Sequence, residues 1–298
     1  MNKYLRFITD PLFRFSILAS RGFYNRMDDE QFLKRKFKMV FKRELNLENP
    51  QTFNEKLQWM KLYDRKPEYT KMVDKYEAKK YVADIIGEEY IIPTLGLWDS
   101  FDEIDFDSLP EQFVLKCTHD SGGLIICKDK KRLDLKKAKK KIEKSLKTNY
   151  YWRGREWPYK NVVPRIVAEK YMQDGSTESL PVYKFFCFDG KATVIQTIQN
   201  DKTAIETVDY FDREWNLLEL KQNFPNSQAP LSKPKNFEQM LKVADILSKD
   251  KKGFLRVDLY EINGQIYFSE FTFFSDGGTA AFSPDFWDYR LGDLIKLK

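Results

Sequence analysis

The sequence contains few residues that bind metals through nitrogen or sulfur. Its 298 residues include three cysteines and a single histidine, His119. Cys117, Cys127 and Cys187 form no CxxC pair, which argues against both a disulfide framework and a structural zinc site. We expect the cysteines to be buried thiols.

A long apolar run is also lacking. No window reaches the roughly 20 apolar residues of a membrane-spanning helix, and charged residues and a proline interrupt the N-terminal segment 4–24, unlike a signal peptide. The sequence therefore predicts a cytoplasmic protein. We expect the apolar residues of this segment to pack on the core; the alternative is a peripheral contact with the inner face of the membrane.

Two common nucleotide-binding signatures, GxxxxGK[ST] and GxGxxG, are absent, which disfavours the P-loop and Rossmann folds. The composition is that of a globular protein. Its residues are 42% hydrophobic and include 24 Phe, enough for the core of one large or two modest domains.

Positive charge is concentrated in residues 128–147, which hold eleven Lys/Arg and three Asp/Glu, whereas the whole chain has a formal net charge of +6. The apolar residues Leu135, Ala138, Ile142 and Leu146 recur at helical spacing and predict an amphipathic helix with a solvated lysine face. Contact with a polyanion is the alternative. We expect no nucleic-acid partner, because no recognition helix, zinc finger or stacking motif accompanies the lysines.

The segment 254–272, FLRVDLYEINGQIYFSEFT, predicts two strands joined by Asn263-Gly264. Alternation places Arg256 and Asp258 on the polar face of the first strand. A plain two-residue turn would set Asp258 opposite Ser269, whereas a longer loop or a bulge would set it opposite Glu270.

Two facing carboxylates, Asp258 and Glu270, suit Mg²⁺, so we hypothesise a metal site that requires the second register. The alternative is a solvated hairpin face without a ligand.

The strands FVLKC and LIIC flank the loop THDSGG. In the first strand Lys116 alternates away from the apolar residues, so we expect it to face a cleft and contact a phosphate. We assign His119 a phosphate contact because it lies in the same loop. Backbone N–H groups directed at the β- and γ-phosphates are expected from Ser121, Gly122 and Gly123. An exposed lysine beside an ordinary hairpin turn is the alternative.

An aromatic and basic segment, YYWRGREWPYK, follows the lysine helix. Its cations Arg153, Arg155 and Lys160 lie among aromatic rings, a combination that suits a sugar carrying carboxylates. The alternative is a loop that packs on the core.

The order of these elements over roughly residues 70–280 resembles the ATP-grasp ligases. Within that superfamily the chain resembles the TupA-like group, which is associated with bacterial cell-surface polysaccharide and teichuronopeptide synthesis. The motifs that carry the resemblance are TFNEKLQWMKLYDR, DKYEAKKYV, FVLKCTHDSGG, REWPYKNVVPRIVAEKYM and SEFTFFSDGG.

The resemblance implies an α+β ATP-grasp fold in which two lobes hold ATP between them. It implies a helical segment over residues 1–70, an N-terminal lobe with the glycine-rich loop over 71–165, and a C-terminal lobe with the adenine hinge and the Mg²⁺ site over 166–298.

The strand IVAEKYM resembles the adenine hinge of the superfamily, which makes Glu169, Lys170, Tyr171 and Met172 the expected adenine and ribose contacts. Lys184 is by resemblance a second phosphate or adenine contact. An ordinary strand and a snorkelling lysine are the alternatives.

By the same resemblance, Asp258 and Glu270 bind one or two Mg²⁺ and Arg256 neutralises an acyl phosphate. The chain departs from the superfamily at Thr272, where asparagine usually provides a further metal ligand. Its hydroxyl is a possible ligand, and Asp276 is a possible substitute, so the number of metal ions is left open.

The implied activity is that of an ADP-forming carboxylate–amine ligase. The implied substrates are ATP, a uronic-acid-bearing glycan or its precursor, and an amino acid or other amine, used in bacterial surface polysaccharide or capsule synthesis. The oligomeric state is left open.

Two other functions are considered. Asp105-Phe106-Asp107 reads as the D-x-D of a metal-dependent glycosyltransferase, and the helix in 128–147 suits a non-catalytic polyanion-binding module. Both rank below the ligase, because neither explains FVLKCTHDSGG or the facing carboxylates.

Overall fold

The computed structural model describes residues 3–175, 180–201 and 203–297. The helices within these residues are α1 (Lys3–Thr9), α2 (Pro11–Ser20), α3 (Asp29–Phe41), α4 (Phe53–Tyr63), α5 (Pro67–Val73), α6 (Glu77–Ile86), α7 (Leu135–Leu146), α8 (Tyr151–Gly154), α9 (Phe237–Ser248) and α10 (Phe286–Asp293).

The strands are β1 (Thr94–Trp98), β2 (Phe113–Cys117), β3 (Leu124–Cys127), β4 (Ile166–Lys170), β5 (Val182–Phe188), β6 (Lys191–Gln199), β7 (Thr207–Phe211), β8 (Lys221–Gln222), β9 (Phe254–Ile262), β10 (Gln265–Thr272) and β11 (Phe282–Ser283). They form a first sheet of order β1-β4-β2-β3, a second of order β10-β9-β5-β6-β7, and a small β11-β8 pair.

The N-terminal helices form a core of their own. α2 begins at Asp10, whose side chain accepts the Phe13 N–H, a cap that satisfies one of the free donors of the first turn. Phe15 of α2 is buried against Phe32 of α3, so packing on the core is confirmed for this residue. By contrast, Tyr4 of α1 is 82% exposed. In the part of the chain that the structure describes, no helix is long and apolar enough to span a membrane.

The first sheet is antiparallel throughout, and α7 packs against it through Ala138 and Ile142, as the amphipathic pattern predicts. One prediction is wrong here. The acidic, proline-bounded sequence of residues 93–110 predicts an irregular segment, but it contains β1, which pairs with β4 at the sheet edge and carries little alternation by which to recognise it. β4, which begins at residue 166, lies between β1 and β2; the bounds of the lobes stay a prediction.

The second sheet carries the largest core. α9 covers one face through Phe237, whose ring stacks near that of Phe185. On the N-terminal side, α4 begins after a capping box formed by Thr52 and Glu55, a T-x-x-E pattern that the sequence shows, and it buries Phe53 against the same core. α9 thus covers one face of the second sheet, whereas Phe53 contacts Phe186 and Phe254, which alternate to the other face, the one that carries Lys184 and Arg256.

Candidate active site

The hairpin of β9 and β10 has the register that the metal hypothesis requires. Its turn is the two-residue Asn263-Gly264, with Ile262 opposite Gln265, and a bulge between Phe268 and Glu270 shifts the pairing. Glu270 therefore lies opposite Asp258, and the predicted register is confirmed. The bulge achieves this because one extra residue in β10 reverses which side chains face the polar side.

A polar row crosses the second sheet at this level. Strand pairing aligns Glu270, Asp258, Lys184, Gln196 and Tyr210 on successive strands. Gln196 Nε2 donates to the Tyr210 hydroxyl at 2.7 Å. Because side chains alternate along every strand, the five residues share one face while Val257 and Phe185 point into the core.

Arg256 holds Asp258 in a bidentate ion pair. Its Nε lies 2.7 Å from Asp258 Oδ1 and its Nη2 lies 2.7 Å from Oδ2, with both side chains almost fully buried. Nη1 donates to the Ser275 hydroxyl at 3.2 Å. Although burial opposes its charge, pairing with Asp258 raises the pKa of Arg256. Three of its five N–H donors are thus engaged, and two remain for a further anion.

Glu270 is the accessible carboxylate of the pair. Its side chain is 41% exposed, and its Oε1 lies 3.7 Å from Arg256 Nη2. Burial opposes ionisation, yet Lys75 and then Arg256, Lys184 and Lys116 lower the pKa of Glu270. The carboxylate is therefore ionised at neutral pH, and the lysines of both sheets lie near it.

Asp258 and Glu270 are the two carboxylates that could hold Mg²⁺. Mg²⁺ is usually held by one or two carboxylates plus substrate phosphates, and each oxygen of Asp258 keeps a free lone pair beside Arg256. Within the described residues no group of three or more His, Cys, Asp or Glu side chains is placed to hold a metal. Asp276 therefore does not complete a carboxylate cage with Asp258 and Glu270, and Thr272 lies opposite Arg256.

The first sheet presents an ion-paired cluster. Lys116 alternates away from the buried residues of β2, as predicted, and its Nζ lies 2.5 Å from Glu169 Oε2. Lys79 Nζ lies 2.7 Å from Glu169 Oε1. Burial opposes the charge of Glu169, but Lys116 and Lys79 lower its pKa to about 2. Both carboxylate oxygens are engaged, so Glu169 orients the two lysines, and its contact with a ribose stays a prediction.

The ion pairs of Glu169 with Lys116 and Lys79 should make the free energy of unfolding depend on pH in acidic solution. Its folded pKa of about 2 lies below the ordinary 4.5, so the stabilisation is complete above pH 4.5 and disappears as the pH falls toward 2. We expect Glu169→Gln to lose on the order of 2 kcal/mol at pH 7 and progressively less toward pH 3 in urea unfolding. If the difference in the free energy of unfolding between the wild type and Glu169→Gln did not change with pH, this prediction would be contradicted. Glu48→Gln, at an exposed position, is the control.

The three residues after Glu169 extend toward the edge of the first sheet. The Lys170 N–H donates to the Pro93 carbonyl at 3.0 Å, and its side chain is exposed. Tyr171 and Met172 are partly exposed, with Lys128 Nζ 6.0 Å from the centre of the Tyr171 ring. Their accessibility is compatible with the predicted adenine contact.

The glycine-rich loop leaves Ser121 and Gly122 exposed and buries Gly123. A Cβ at Gly123 would lie 2.3 Å from Cys117 Sγ, so no side chain fits there. The Gly123 N–H is bound by Asp120 Oδ1 at 3.0 Å and does not point to a free ligand position. Of the three predicted phosphate donors, Ser121 and Gly122 alone are accessible.

His119 is not in the phosphate position that the sequence predicts. Its side chain is 2% exposed, and Nε2 lies 3.0 Å from the carbonyl oxygens of Ser145 and Thr148, at the end of α7. The Ser145 carbonyl also accepts the Thr148 N–H at 2.9 Å. The imidazole thus binds carbonyls at the helix terminus instead of a ligand.

Arg155 is likewise not a substrate contact. It is fully buried, and its Nη2 donates to the carbonyls of Tyr24 (2.6 Å) and Met27 (3.2 Å) while Nε lies 3.2 Å from Asp29 Oδ1. It therefore anchors the N-terminal helices. Arg153 and Lys160 are exposed, as the sugar-binding hypothesis requires.

Two lysines of the site were missed from the sequence. Lys75 Nζ donates to the Asp120 carbonyl at 2.6 Å, and Lys79 binds Glu169. Lys75 lies in the turn before α6 and Lys79 in the first turn of that helix, so the available signal was their proximity in DKYEAKKYV. The D-x-D motif is an exposed turn in which Asp105 Oδ1 accepts the Asp107 N–H.

The family follows from comparison with known proteins. A family model described as TupA-like ATPgrasp matches residues 55–296. The chain belongs to the TupA-like ATP-grasp family. Its α+β architecture, with two main sheets and N-terminal helices, is accordingly an ATP-grasp fold. A search among curated proteins gives no significant match.

Solved structures that are similar to this TupA-like chain include two ligases. The D-alanine–D-alanine ligase of Bacillus anthracis, complexed with ATP, is 19% identical, with a TM-score of 0.38 over 67% of this chain and 53% of that one. An L-amino acid ligase of Bacillus licheniformis is 14% identical, with a TM-score of 0.46 over 85% and 57%. The chain thus spans little more than half of the length of either protein.

Proposed function

We propose that this protein is an ATP-dependent carboxylate–amine ligase that acts through an acyl phosphate. The observation that carries the proposal is the polar row of the second sheet, with Glu270 at its open end, in a chain of the ATP-grasp family. Lys75 and Lys116 lie near enough to Glu270 to lower its pKa. Binding of a triphosphate with Mg²⁺ needs cationic side chains as well as carboxylates, and this site has both.

In the proposed reaction a substrate carboxylate oxygen attacks the γ-phosphorus of ATP, and ADP leaves. An amine then attacks the carbonyl carbon of the acyl phosphate, the carbon–oxygen bond to phosphate breaks, and the amine loses a proton. The protein needs no nucleophile of its own, because positioning and charge neutralisation supply most of the rate.

We assign the phosphates to Lys116, Lys184 and the accessible N–H groups of Ser121 and Gly122. Glu270 and Asp258 would hold Mg²⁺, whose positive charge would offset the negative charge that develops on the phosphates. Lys170, Tyr171 and Met172 are assigned to adenine. Asp258 keeps its orientation through the bidentate contact with Arg256, whose two remaining donors would neutralise the acyl phosphate.

The substrates are proposed from the family. Its TupA-like character supports a uronic-acid-bearing glycan or precursor as the acid and an amino acid or other amine as the nucleophile, in bacterial surface polysaccharide synthesis. Arg153 and Lys160, which are exposed cations beside aromatic rings, are the proposed contacts for the sugar carboxylate.

Nucleotide-product analysis tests the reaction class. The full chain is incubated with Mg²⁺ and ATP and a panel of uronic acids and amines. We expect ADP and phosphate only when both an acid and an amine are present. Formation of AMP and pyrophosphate would exclude the proposed mechanism. So would a rate of ADP release that does not depend on the acid or the amine.

Lys116→Ala should weaken ATP binding, because it removes one charge-assisted contact worth about 1.5 to 3 kcal/mol. The fold should persist, since Lys79 still neutralises Glu169. Calorimetric titration with a non-hydrolysable ATP analogue measures the change, and Lys140→Ala on α7 is the control. Wild-type affinity in a folded Lys116→Ala protein would remove Lys116 from the site.

A further inference from the structure

A cavity of about 340 Å³ lies between the N-terminal helices and the turn after β10. One wall comes from α2 and from Lys36 of α3. The other comes from Arg153 and Glu156 and from the turn that contains Asp276. The volume is at the small end of the range for small-molecule sites, so it suits a metabolite and excludes a polymer chain.

Two cations and two anions line the cavity without forming ion pairs with one another. Among the described residues, no ion pair within 4.0 Å and no side-chain hydrogen bond involves Lys36, Arg153, Glu156 or Asp276. Glu156 is 8% exposed. Lys61, Lys36 and Arg153 act on Glu156 electrostatically, with Lys61 the strongest, but none of them forms an ion pair with it within 4.0 Å. A buried carboxylate without a direct contact is costly, and in folded proteins such groups are normally paired or hydrogen-bonded. The cavity therefore offers direct contacts to a molecule that carries both charges.

The cavity adjoins the proposed catalytic face through one turn. Ser275, which accepts a hydrogen bond from Arg256, directly precedes Asp276. The turn is fixed from behind, because Lys61 Nζ donates to the Gly277 carbonyl at 2.8 Å. Asp276 contributes to the electrostatic environment of both Arg256 and Lys184. A molecule in the cavity would thus lie next to the polar row.

We propose that this cavity binds the amine substrate as a zwitterion the size of an α-amino acid. The ammonium group would lie against Glu156 and Asp276, and the carboxylate against Lys36 and Arg153. The assignment rests on the proposed ligase function and names the class of its amine. Arg153 then binds the carboxylate of the amine substrate, and Lys160 is the remaining proposed contact for the sugar carboxylate.

The position of Lys36 makes the N-terminal helices part of the site. Lys36 lies outside residues 55–296, the part of the chain that the family model covers. Burial raises the pKa of Glu156, and a bound ammonium group would oppose that rise by favouring the charged carboxylate. Selection of the amine would therefore depend on a segment that the family match does not include.

Ligand-observed NMR on the full chain tests the charge requirement. The probes are the twenty L-amino acids, with and without a non-hydrolysable ATP analogue and Mg²⁺, followed by the methyl ester and the N-acetyl derivative of each amino acid that binds. We expect binding of at least one free amino acid and at least a tenfold loss for each capped derivative. Absence of amino acid binding, or equal binding of a capped form, would overturn the proposal.

Matched variants test the location. Glu156→Gln and Lys36→Met should each weaken amino acid binding at least tenfold and leave the affinity for the ATP analogue unchanged. Lys38→Met, on the same helix outside the cavity, should bind like the wild type. Wild-type amino acid affinity in folded Lys36→Met and Glu156→Gln proteins would place the amine elsewhere.

The outcomes separate the two proposals. If ADP and phosphate form with an amine whose KM is unchanged in Lys36→Met, the ligase function stands and the cavity assignment fails. If the wild type binds no ATP analogue, the ligase function fails, and the binding assay on capped amino acids still decides what the cavity recognises.

Discussion

Replacing Glu270 with glutamine is expected to lower turnover by about a hundredfold to a thousandfold while leaving the free energy of unfolding nearly unchanged. The carboxylate is 41% exposed and its 3.7 Å separation from Arg256 is longer than a hydrogen bond, so solvent screening leaves the nearby cations with little effect on the stability of the fold. Its proposed role with Mg²⁺ is to stabilise charge that develops on the transferred phosphoryl group, and loss of such a group costs several kcal/mol in the transition state. Nucleotide binding without Mg²⁺ should be largely retained.

Asp258→Asn should differ from Glu270→Gln in stability. Two facing carboxylates would by themselves repel, which predicts that removing either charge does no harm to the hairpin. The structure overturns this expectation for Asp258, because its carboxylate neutralises the buried Arg256. We expect Asp258→Asn to cost about 3 kcal/mol in urea unfolding, in addition to its loss of turnover.

Steady-state assays of the single and double variants complete this test. Because the two carboxylates would hold the same metal, the double variant should lose little more activity than either single one. Turnover near the wild-type level in folded Glu270→Gln, with Mg²⁺ as the only divalent metal, would refute the mechanism. Additive losses would show that the carboxylates act separately.

Arg155→Leu is expected to destabilise the protein by about 2 to 4 kcal/mol. The substitution leaves the carbonyls of Tyr24 and Met27 without their donor and removes a buried cation from beside Asp29. The guanidinium also lies 4.4 Å from the centre of the Phe32 ring, so the contact between α3 and α8 weakens. Denaturant unfolding and limited proteolysis of α1–α3 measure the effect.

The exposed neighbour Lys160 provides the control for Arg155. Lys160→Met removes a surface cation from the same segment and should leave stability within about 0.5 kcal/mol of the wild type. If Arg155 contacted a substrate, its replacement would raise KM and spare the fold. An unchanged free energy of unfolding in Arg155→Leu would therefore contradict the anchoring role.

Local rules were sufficient for much of the fold. The capping box at Thr52, the apolar stripe of α9 and the alternation in β2 each depend on neighbours within a few residues, and all three were predictable. β1 was missed because an edge strand with one weakly buried face forms through its partner, β4, and carries little signal of its own.

The candidate site likewise has some features that were predictable from the sequence and others that were not. The hairpin pattern predicted that Asp258 and Glu270 would share a face, and it required a bulge or longer loop to do so. The partner of each charge was not predictable in the same manner. Arg155 and His119 are residue types that often contact ligands. Both are buried, however, and Arg155 binds the N-terminal helices while His119 binds the end of α7.

The sequence alone therefore determined the α+β elements, the polar faces of β2 and β9, and the resemblance to the ATP-grasp family. The tertiary structure decided which charges neutralise one another and which remain open. Lys79 meets Glu169 and Lys36 approaches Glu156 across segments far apart in the chain. Periodicity reports the face on which a side chain lies, whereas its partner depends on how separate elements pack, and that information is not local.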